Sequence, residues 1–479
     1  MKIVFVNPPL DHRKHYGNFE KVANLVPPLG IGYLASTLIA NGFPDVEILD
    51  SLPLDYDFDD VRRWLEEKKP RIVGITATVL AASEAALVAR IAKEAAPAAL
   101  VVLGGPHVTT LPEEAMAEGP YDLGALGEAE DTILEVARAV DSGGTPAWRK
   151  VAGLVFREEE GGKTVFTPRR DNKQVLDAIP FPARHLYPPL AAYKPVPASW
   201  KRFPFAHTLT SRGCPFACGF CDRGVVGFKF RAYSAEKVVE EVEEMIHAHG
   251  AREIRFFDDT FTLSRERAVA IAEGILRKGL DFPWTCRTRT DTVDRELLAL
   301  FRRAGCWQIL YGLESGDEKM LKYIDKGTTI EENANAIEAA LAVGLRVRGD
   351  FIIGAPGETR ESIRRTVDFA KKYPIDAATF HLFTPFLGSR FAKDVATEGR
   401  LRHRDFDYYR VFVDPKTARL PYVPEGFTQE EILGEIVKAH REFYLRPRFL
   451  LRNLFAVRRL SDIKRNWIAF RTAIGFYHN

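Results

Sequence analysis

Short apolar stretches alternate with helical stretches in two separate series along this chain of 479 residues. That rhythm limits the fold more than any other feature. In the first 140 or so residues, KIVFVN, VEILD, RIVGITAT and ALVVLGG read as strands. PPLGIGYLASTLIANG, DFDDVRRWLEEKKP, SEAALVARIAKEAAP and EDTILEVARAV read as helices. The second of these opens on aspartates and closes on lysines, which suits the helix dipole. Repeated strand–helix units predict an open, mostly parallel sheet with helices on both faces. Ligands of such sheets bind outside the carboxyl ends of the strands.

Those ends carry NPP at 7–9, TAT at 76–78, GGPH at 104–107 and GEAE at 127–130. Asn7, Pro8, Thr76 and Thr78 form one half of a candidate ligand rim. Gly104, Gly105, His107, Gly127 and Glu128 form the other. Glycine lets a ligand approach the backbone closely. Each loop alone is also ordinary turn chemistry; four on one edge argue for a ligand. A dinucleotide fingerprint, Gly30-x-Gly32-x-x-Ala35 with Asp50 beyond it, is a decoy. Its glycines do not follow the first strand directly, as a Rossmann turn requires.

Residues 153–170 read as a β-hairpin, and AIPFPARHLYPPLAAYKPVPASW as a Pro-rich ordered linker. A second series follows. AHTLTSR, EIRFFDDTF, PWTCRTRTD, CWQILYGLES, RVRGDFIIGAPGE and AATFHLFTPF read as six strands, each but the last followed by a helix. Such a series implies a partial barrel with its site at the strands' carboxyl ends.

Three of the five cysteines, Cys214, Cys218 and Cys221, stand within SRGCPFACGFCDRG after the first of these strands. A closed zinc site wants four ligands in paired knuckles, and no fourth lies at such spacing. A disulfide leaves one thiol over. An iron–sulfur cubane held by three thiolates fits, with one iron open to a ligand. Cys286, inside a strand, and Cys306 read as buried small hydrophobes.

Cys-x3-Cys-x2-Cys with Phe220 before the last cysteine resembles the signature of the radical S-adenosylmethionine superfamily. The resemblance implies a 4Fe-4S cluster whose open iron binds S-adenosylmethionine, and reductive cleavage to a 5′-deoxyadenosyl radical. It also implies a partial (β/α)6 TIM-type barrel. FFDDTF, CRTRTD, GLES and GDFIIGAPGE resemble successive strand-end motifs of one branch. By that resemblance Asp259 or Glu314 takes the cofactor's ammonium, Arg289 its carboxylate and Ser315 a ribose hydroxyl. The backbone near Gly354 and Thr384 faces the adenine, with Phe220 beside it.

That branch places a Rossmann-like cobalamin-binding domain before the barrel, and NPP, PPLGIGYLAS, LGGPHVTTLPEE, LGEAED and DAIPFPAR resemble its pattern. The rim residues named above then become the cobalamin cradle. The Asp-x-His-x-x-Gly motif that brings a histidine to cobalt is absent. His12, His15 and His107 stand in other contexts, so no lower ligand is assigned. The expected fold class is α/β, in four sections. A cobalamin domain spans 1–145, a hairpin and linker 146–200, the barrel 201–395, and a mostly helical basic extension 396–479.

The whole resembles class B methyltransferases and the group of the anaerobic magnesium-protoporphyrin monomethyl ester cyclase. Methyl transfer to an unactivated carbon is the preferred outcome. Oxidative cyclisation or rearrangement by the same cofactors is the alternative. A methylthiotransferase would need three more cysteines in its first domain, and residues 1–200 contain none. Enzymes with auxiliary clusters are disfavoured likewise, and a cobalamin sensor would leave the cysteines unexplained. Aromatic, Pro-rich segments such as LYPPLAAY and ASWKRFPF point to a large apolar or planar small-molecule substrate. The electron donor would be a flavodoxin or ferredoxin.

Five cysteines in so long a chain, and no signal-peptide pattern, place it in the cytoplasm. No apolar run approaches the length of about 20 residues that spans a bilayer. The formal net charge of +2 hides an asymmetry, since residues 441–479 carry nine Arg or Lys against two acids, a net +7. The remaining residues carry −5 and no other stretch is basic, which argues against nucleic-acid binding. The tail's arginines either decorate helices packed on the body or touch membrane headgroups or an anionic substrate.

Overall fold

The computed structural model describes residues 1–10, 25–143, 147–158, 162–193, 200–402 and 419–455. Seven strands form the first sheet. They are β1 (Ile3–Asn7), β2 (Val46–Asp50), β3 (Ile72–Thr76), β4 (Leu100–Gly104), β5 (Leu123–Ala125), β6 (Leu154–Arg157) and β7 (Thr164–Phe166). Their order is β2-β1-β3-β4-β5-β6-β7. The first five run parallel, and the β6–β7 hairpin continues the sheet antiparallel from β5. The strand order reverses between β1 and β3, which makes their carboxyl ends the crevice for a ligand.

The strands are apolar throughout because both faces are covered. Along β1, Val4 and Val6 pack toward the helices Phe58–Lys68 and Ala82–Ala95. Ile3 and Phe5 pack toward the helices Leu29–Ala40 and Glu130–Asp141. Period-two alternation thus feeds two cores from one strand. Gly30 and Gly32 lie inside a helix, not in a phosphate-binding turn. At Gly32 a Cβ would stand 3.0 Å from the Tyr187 hydroxyl and 3.1 Å from Pro182, so this glycine makes room for the linker. Strand β5 and the short helices Pro106–Thr110 and Pro112–Glu118 were not foreseen. They are too short to show a period.

The second sheet holds β8 (Phe205–Thr208), β11 (Glu253–Phe256), β12 (Trp284–Thr288), β13 (Cys306–Glu314), β14 (Arg346–Ile353) and β15 (Ala377–Leu382). The ladder of β9 (Ser211–Arg212) and β10 (Arg231–Ala232) stands apart from it. The six main strands are all parallel and lie in chain order, with β8 and β15 at the two edges. Ile254, Phe256, Trp284, Cys286, Ile309, Tyr311, Val347 and Phe380 pack outward under the helices, and Cys286 and Cys306 are fully buried there. The last strand is also followed by a helix, Arg390–Thr397, contrary to expectation. It was hidden because Pro385 and Gly388 in the loop before it read as a break.

Helices Gln429–Tyr444 and Pro447–Phe455 pack on the far edge of this sheet. The Tyr444 hydroxyl donates to the Ala378 carbonyl at 2.8 Å. Arg446 and Arg452 donate to the carbonyls of Lys371 and Ile375 at 3.0 and 2.7 Å. These arginines serve packing, and the tail beyond 455 lies outside the described residues. Among the described residues no helix is long and apolar enough to cross a membrane. Tyr187 and Tyr193, in the segment expected to favour an apolar substrate, are buried. They donate to the Pro28 carbonyl at 2.6 Å and to Asp50 at 2.7 Å.

Candidate active site

Cys214, Cys218 and Cys221 occupy the loop between β9 and β10. The antiparallel pairing of Arg212 with Arg231 and Ser211 with Ala232 closes its base. Gly213 turns the chain with a φ of +84°, where a Cβ would run into the Lys229 carbonyl. Buried Asp258 accepts from the Thr210 amide at 3.2 Å, the Thr210 hydroxyl at 2.8 Å and the Ser211 hydroxyl. Farther out, the Gly219 amide donates to the Ile324 carbonyl and the Phe391 amide to the Gly219 carbonyl, each at 2.9 Å. A loop tied at so many points holds its three thiols ready.

All three cysteines are free and half-buried. Burial pushes the Cys218 thiol up, against Lys326 and Arg289, and pushes Cys221 up to about 12, against Arg223. The Arg289 Nη1 stands 4.0 Å from the Cys218 sulfur. Among the described residues no three Cys, His, Asp or Glu side chains could hold a single metal ion. A cubane instead takes one thiolate at each of three separate irons. Three soft sulfur donors beside guanidinium and ammonium groups that balance thiolate charge fit such a cluster.

Around Cys218 the fold assembles Arg289, Glu314 and Lys326. Arg289 makes a two-pronged ion pair with Asp291, at 2.9 and 2.7 Å, and lies 3.6 Å from the centre of the Phe216 ring. Glu314 ends β13 at a register shift and in a left-handed conformation, with φ +60°. Its carboxylate accepts from Lys326 at 2.8 Å, and both side chains are buried. Asp259 lies beside Cys221, with Arg287 and Arg223 as neighbouring cations. Gly354, at φ +89°, donates its amide to Glu358 at 3.1 Å. Phe220 packs against a cluster that includes Phe383 and Phe391, and Thr384 follows that cluster. Ser315 is buried and bonded to Thr366 and the Asp317 amide.

The strand ends of the first sheet meet this loop directly. The Thr110 hydroxyl donates to Asp222 at 2.9 Å, and the Asn172 side chain donates to the Val226 carbonyl at 3.1 Å. Glu128 accepts from Arg231 at 2.9 Å and lies 3.2 Å from Arg212, while Glu130 pairs with Arg212 at 2.7 Å.

The superfamily comparison agrees with this arrangement. Residues 208–370 match the family model "Radical SAM superfamily", and residues 17–137 match "B12 binding domain". A Pyrococcus horikoshii protein named as an uncharacterized methyltransferase is 37% identical over 95% of this chain and 95% of its own. The chain belongs to the radical SAM superfamily and carries a B12-binding domain. The anaerobic magnesium-protoporphyrin IX monomethyl ester cyclase of Rubrivivax gelatinosus is 30% identical over 94% of this chain and 78% of its own. The radical S-adenosylmethionine methyltransferase TsrM from Kitasatospora setae has the same fold. Its TM-score is 0.75 at 19% identity, over 99% of this chain and 100% of that one.

Fewer of the expected cradle residues of this radical SAM protein are open to a ligand than the sequence suggested. Asn7 donates to Asp50 at 2.8 Å, so Asp50, missed as a rim residue, orients it. Thr76, Gly104 and Gly127 are partly exposed and Thr78 is exposed. A Cβ on Gly104 would meet nothing nearer than 3.9 Å, whereas Gly105 turns at φ +97° against the Ala77 carbonyl. Thr109 ties these loops, accepting from the Gly127 amide at 3.0 Å and donating to the Gly105 carbonyl at 2.9 Å. Pro8 is buried. His107 is 1% exposed and turned onto Glu118 at 3.1 Å, and Glu128 is held by arginines, so neither side chain offers itself to a ligand.

Sequence reasoning missed Lys326, Asp291, Arg223 and Asp222. Lys326 sits in a turn between left-handed Asp325 and Gly327, 12 residues beyond Glu314. Nothing in IDKG marks it as a partner of GLES.

Proposed function

We propose that this enzyme transfers a methyl group to an unactivated carbon of a small molecule with an apolar or planar scaffold. The observation that carries the reading is the junction of the two strand-end edges at Thr110 and Asp222. Cys214, Cys218 and Cys221 would hold the 4Fe-4S cluster. Arg289, Glu314 or Asp259, Ser315, Gly354, Thr384 and Phe220 would hold S-adenosylmethionine. Asn7, Thr76, Thr78, Gly104, Gly105 and Gly127 would cradle cobalamin. When bound, these groups supply an electron, a hydrogen-abstracting radical and a methyl carrier.

The chain's own contribution is placement. Arg289 is already oriented by Asp291 and Phe216, so its Nη1, 4.0 Å from the Cys218 sulfur, is pre-positioned for a carboxylate at the cluster. Lys326 balances Glu314 until an ammonium takes its place. Phe228 and Phe386 are exposed on the cysteine loop and on the loop after β15, and they support the apolar scaffold. The Rubrivivax relative favours oxidative cyclisation as the second reading. A flavodoxin- or ferredoxin-type donor would supply the electron. Anaerobic turnover with methyl-labelled S-adenosylmethionine and a cell extract tests the proposal. Label in a product supports methyl transfer, whereas unlabelled product with two hydrogens fewer supports cyclisation.

A further inference from the structure

The face of the second sheet opposite its helices is charged. Along β12, Trp284, Cys286 and Thr288 are buried under the helices, while Arg287 between them is exposed. An exposed residue in a strand flanked on both sides can only face the side opposite the helices. Arg287 therefore opens onto accessible space inside the sheet, two residues before Arg289. Pairing puts it level with Leu310 on β13 and Arg348 on β14.

The Arg287 side chain makes no hydrogen bond and no salt bridge among the described residues, with Asp350 and Asp259 as its neighbouring carboxylates; its guanidinium carbon lies 5.2 Å from the centre of the Phe257 ring. Arg348 differs, being paired with Asp350 at 3.1 Å, with His381 3.8 Å from the same carboxylate oxygen. Arg223, two residues past Cys221, is the second unmatched cation. Its Nε and Nη1 atoms are buried without any hydrogen-bond partner, and its guanidinium carbon lies 4.3 Å from the centre of the Phe228 ring. Asp259 lies between the fields of Arg223 and Arg287. Three guanidinium groups thus face two carboxylates, with two forks left open.

The buried Arg223 edge without an acceptor is unfavourable, and a bound oxyanion removes that deficit. The planar fork matches carboxylate and phosphate oxygens two at a time. We propose that Arg287 and Arg223 form an anion-binding subsite that holds a carboxylate or phosphate group of the substrate inside the barrel mouth. The inference rests on the proposed function only in calling that anion part of the substrate. The substrate is then amphipathic, with its apolar part toward Phe228 and Phe386 and its charge toward Arg287.

The test uses full-length protein loaded with cluster and cobalamin, and isothermal titration with inorganic phosphate and with acetate. At least one anion should bind saturably to the wild type. Its affinity should fall ten-fold or more in Arg287→Met and in Arg223→Met, and less in Arg287→Lys, which keeps the charge and loses the fork. Iron per chain and circular dichroism verify that each variant is folded. No binding to the wild type, or equal binding to wild type and Arg287→Met, overturns the proposal. A parallel ten-fold loss of S-adenosylmethionine affinity in Arg287→Met would assign the arginine to the cofactor's own carboxylate, and overturns it too. In the labelled turnover above, the product should be retained by an anion exchanger; a neutral labelled product overturns it. Release of 5′-deoxyadenosine is read separately. Its absence sinks the enzymatic reading while leaving anion binding intact.

Discussion

The hydroxyl of Thr110 and the carboxylate of Asp222 are hydrogen-bonded at 2.9 Å, so the end of the short helix after β4 touches the residue that follows Cys221. The other Asp222 oxygen accepts from the Gly224 amide at 2.8 Å. One side chain therefore links the B12-binding domain's strand-end edge to the cysteine loop.

Thr110→Val should loosen that link without disturbing the thiols. Cobalamin-dependent product is expected to drop about three- to ten-fold, since placement errors of this kind cost rate steeply. Release of 5′-deoxyadenosine should change less than about two-fold. Thr110→Ser should restore the ratio of the two. A proportional fall in both would show that Thr110 merely stabilises the fold.

Cys218→Ala should abolish stable cluster incorporation, read as iron and sulfide per chain. Gly213→Ala should lower it severely although all three thiols remain. The left-handed turn costs an alanine about 1–2 kcal/mol, and its Cβ would meet the Lys229 carbonyl. Wild-type iron content in Gly213→Ala would show that the loop is not held by this turn.

Glu128→Ala should destabilise the chain by about 3–5 kcal/mol, because it leaves buried Arg231 without a carboxylate, while Arg212 keeps Glu130. Urea unfolding followed by far-ultraviolet circular dichroism measures this. Loss of cobalamin binding with unchanged stability would instead return Glu128 to the cradle.

Burial pushes the Glu358 carboxyl up to about 7 from its ordinary 4.5, against hydrogen bonds from Ser362 and the Gly354 amide and with Asp317 adding to the rise. The native protein therefore holds this proton more tightly than the unfolded chain. That stabilisation is complete below about pH 4.5 and is lost as pH rises through about 7, at most about 3 kcal/mol in all. Glu358→Gln should not show this slope, so its stability relative to the wild type should grow over that window. A difference constant from pH 4.5 to 8 would reject the assignment.

The strands and most helices were legible because burial on both faces of a parallel sheet writes a continuous apolar run into each strand. The cluster loop was legible because its three thiols are close in sequence. The partners of the cofactor residues were not. Lys326, Asp291 and Asp50 reach Glu314, Arg289 and Asn7 through turns or neighbouring strands, and no spacing rule records such meetings. His107 and Glu128 stood in the right loops, but backbone position does not say which way a side chain turns.

By itself, the amino-acid sequence determined two strand–helix series, a trio of thiols on one loop, and the family to which they belong. Each rests on local periodicity or short-range spacing. The tertiary structure alone decided that the two strand-end edges meet at Thr110 and Asp222. It also decided that Glu128 clamps the domains and that Arg287 and Arg223 stand unmatched. Those outcomes depend on groups distant in sequence becoming neighbours, where desolvation and charge are settled by what packs alongside.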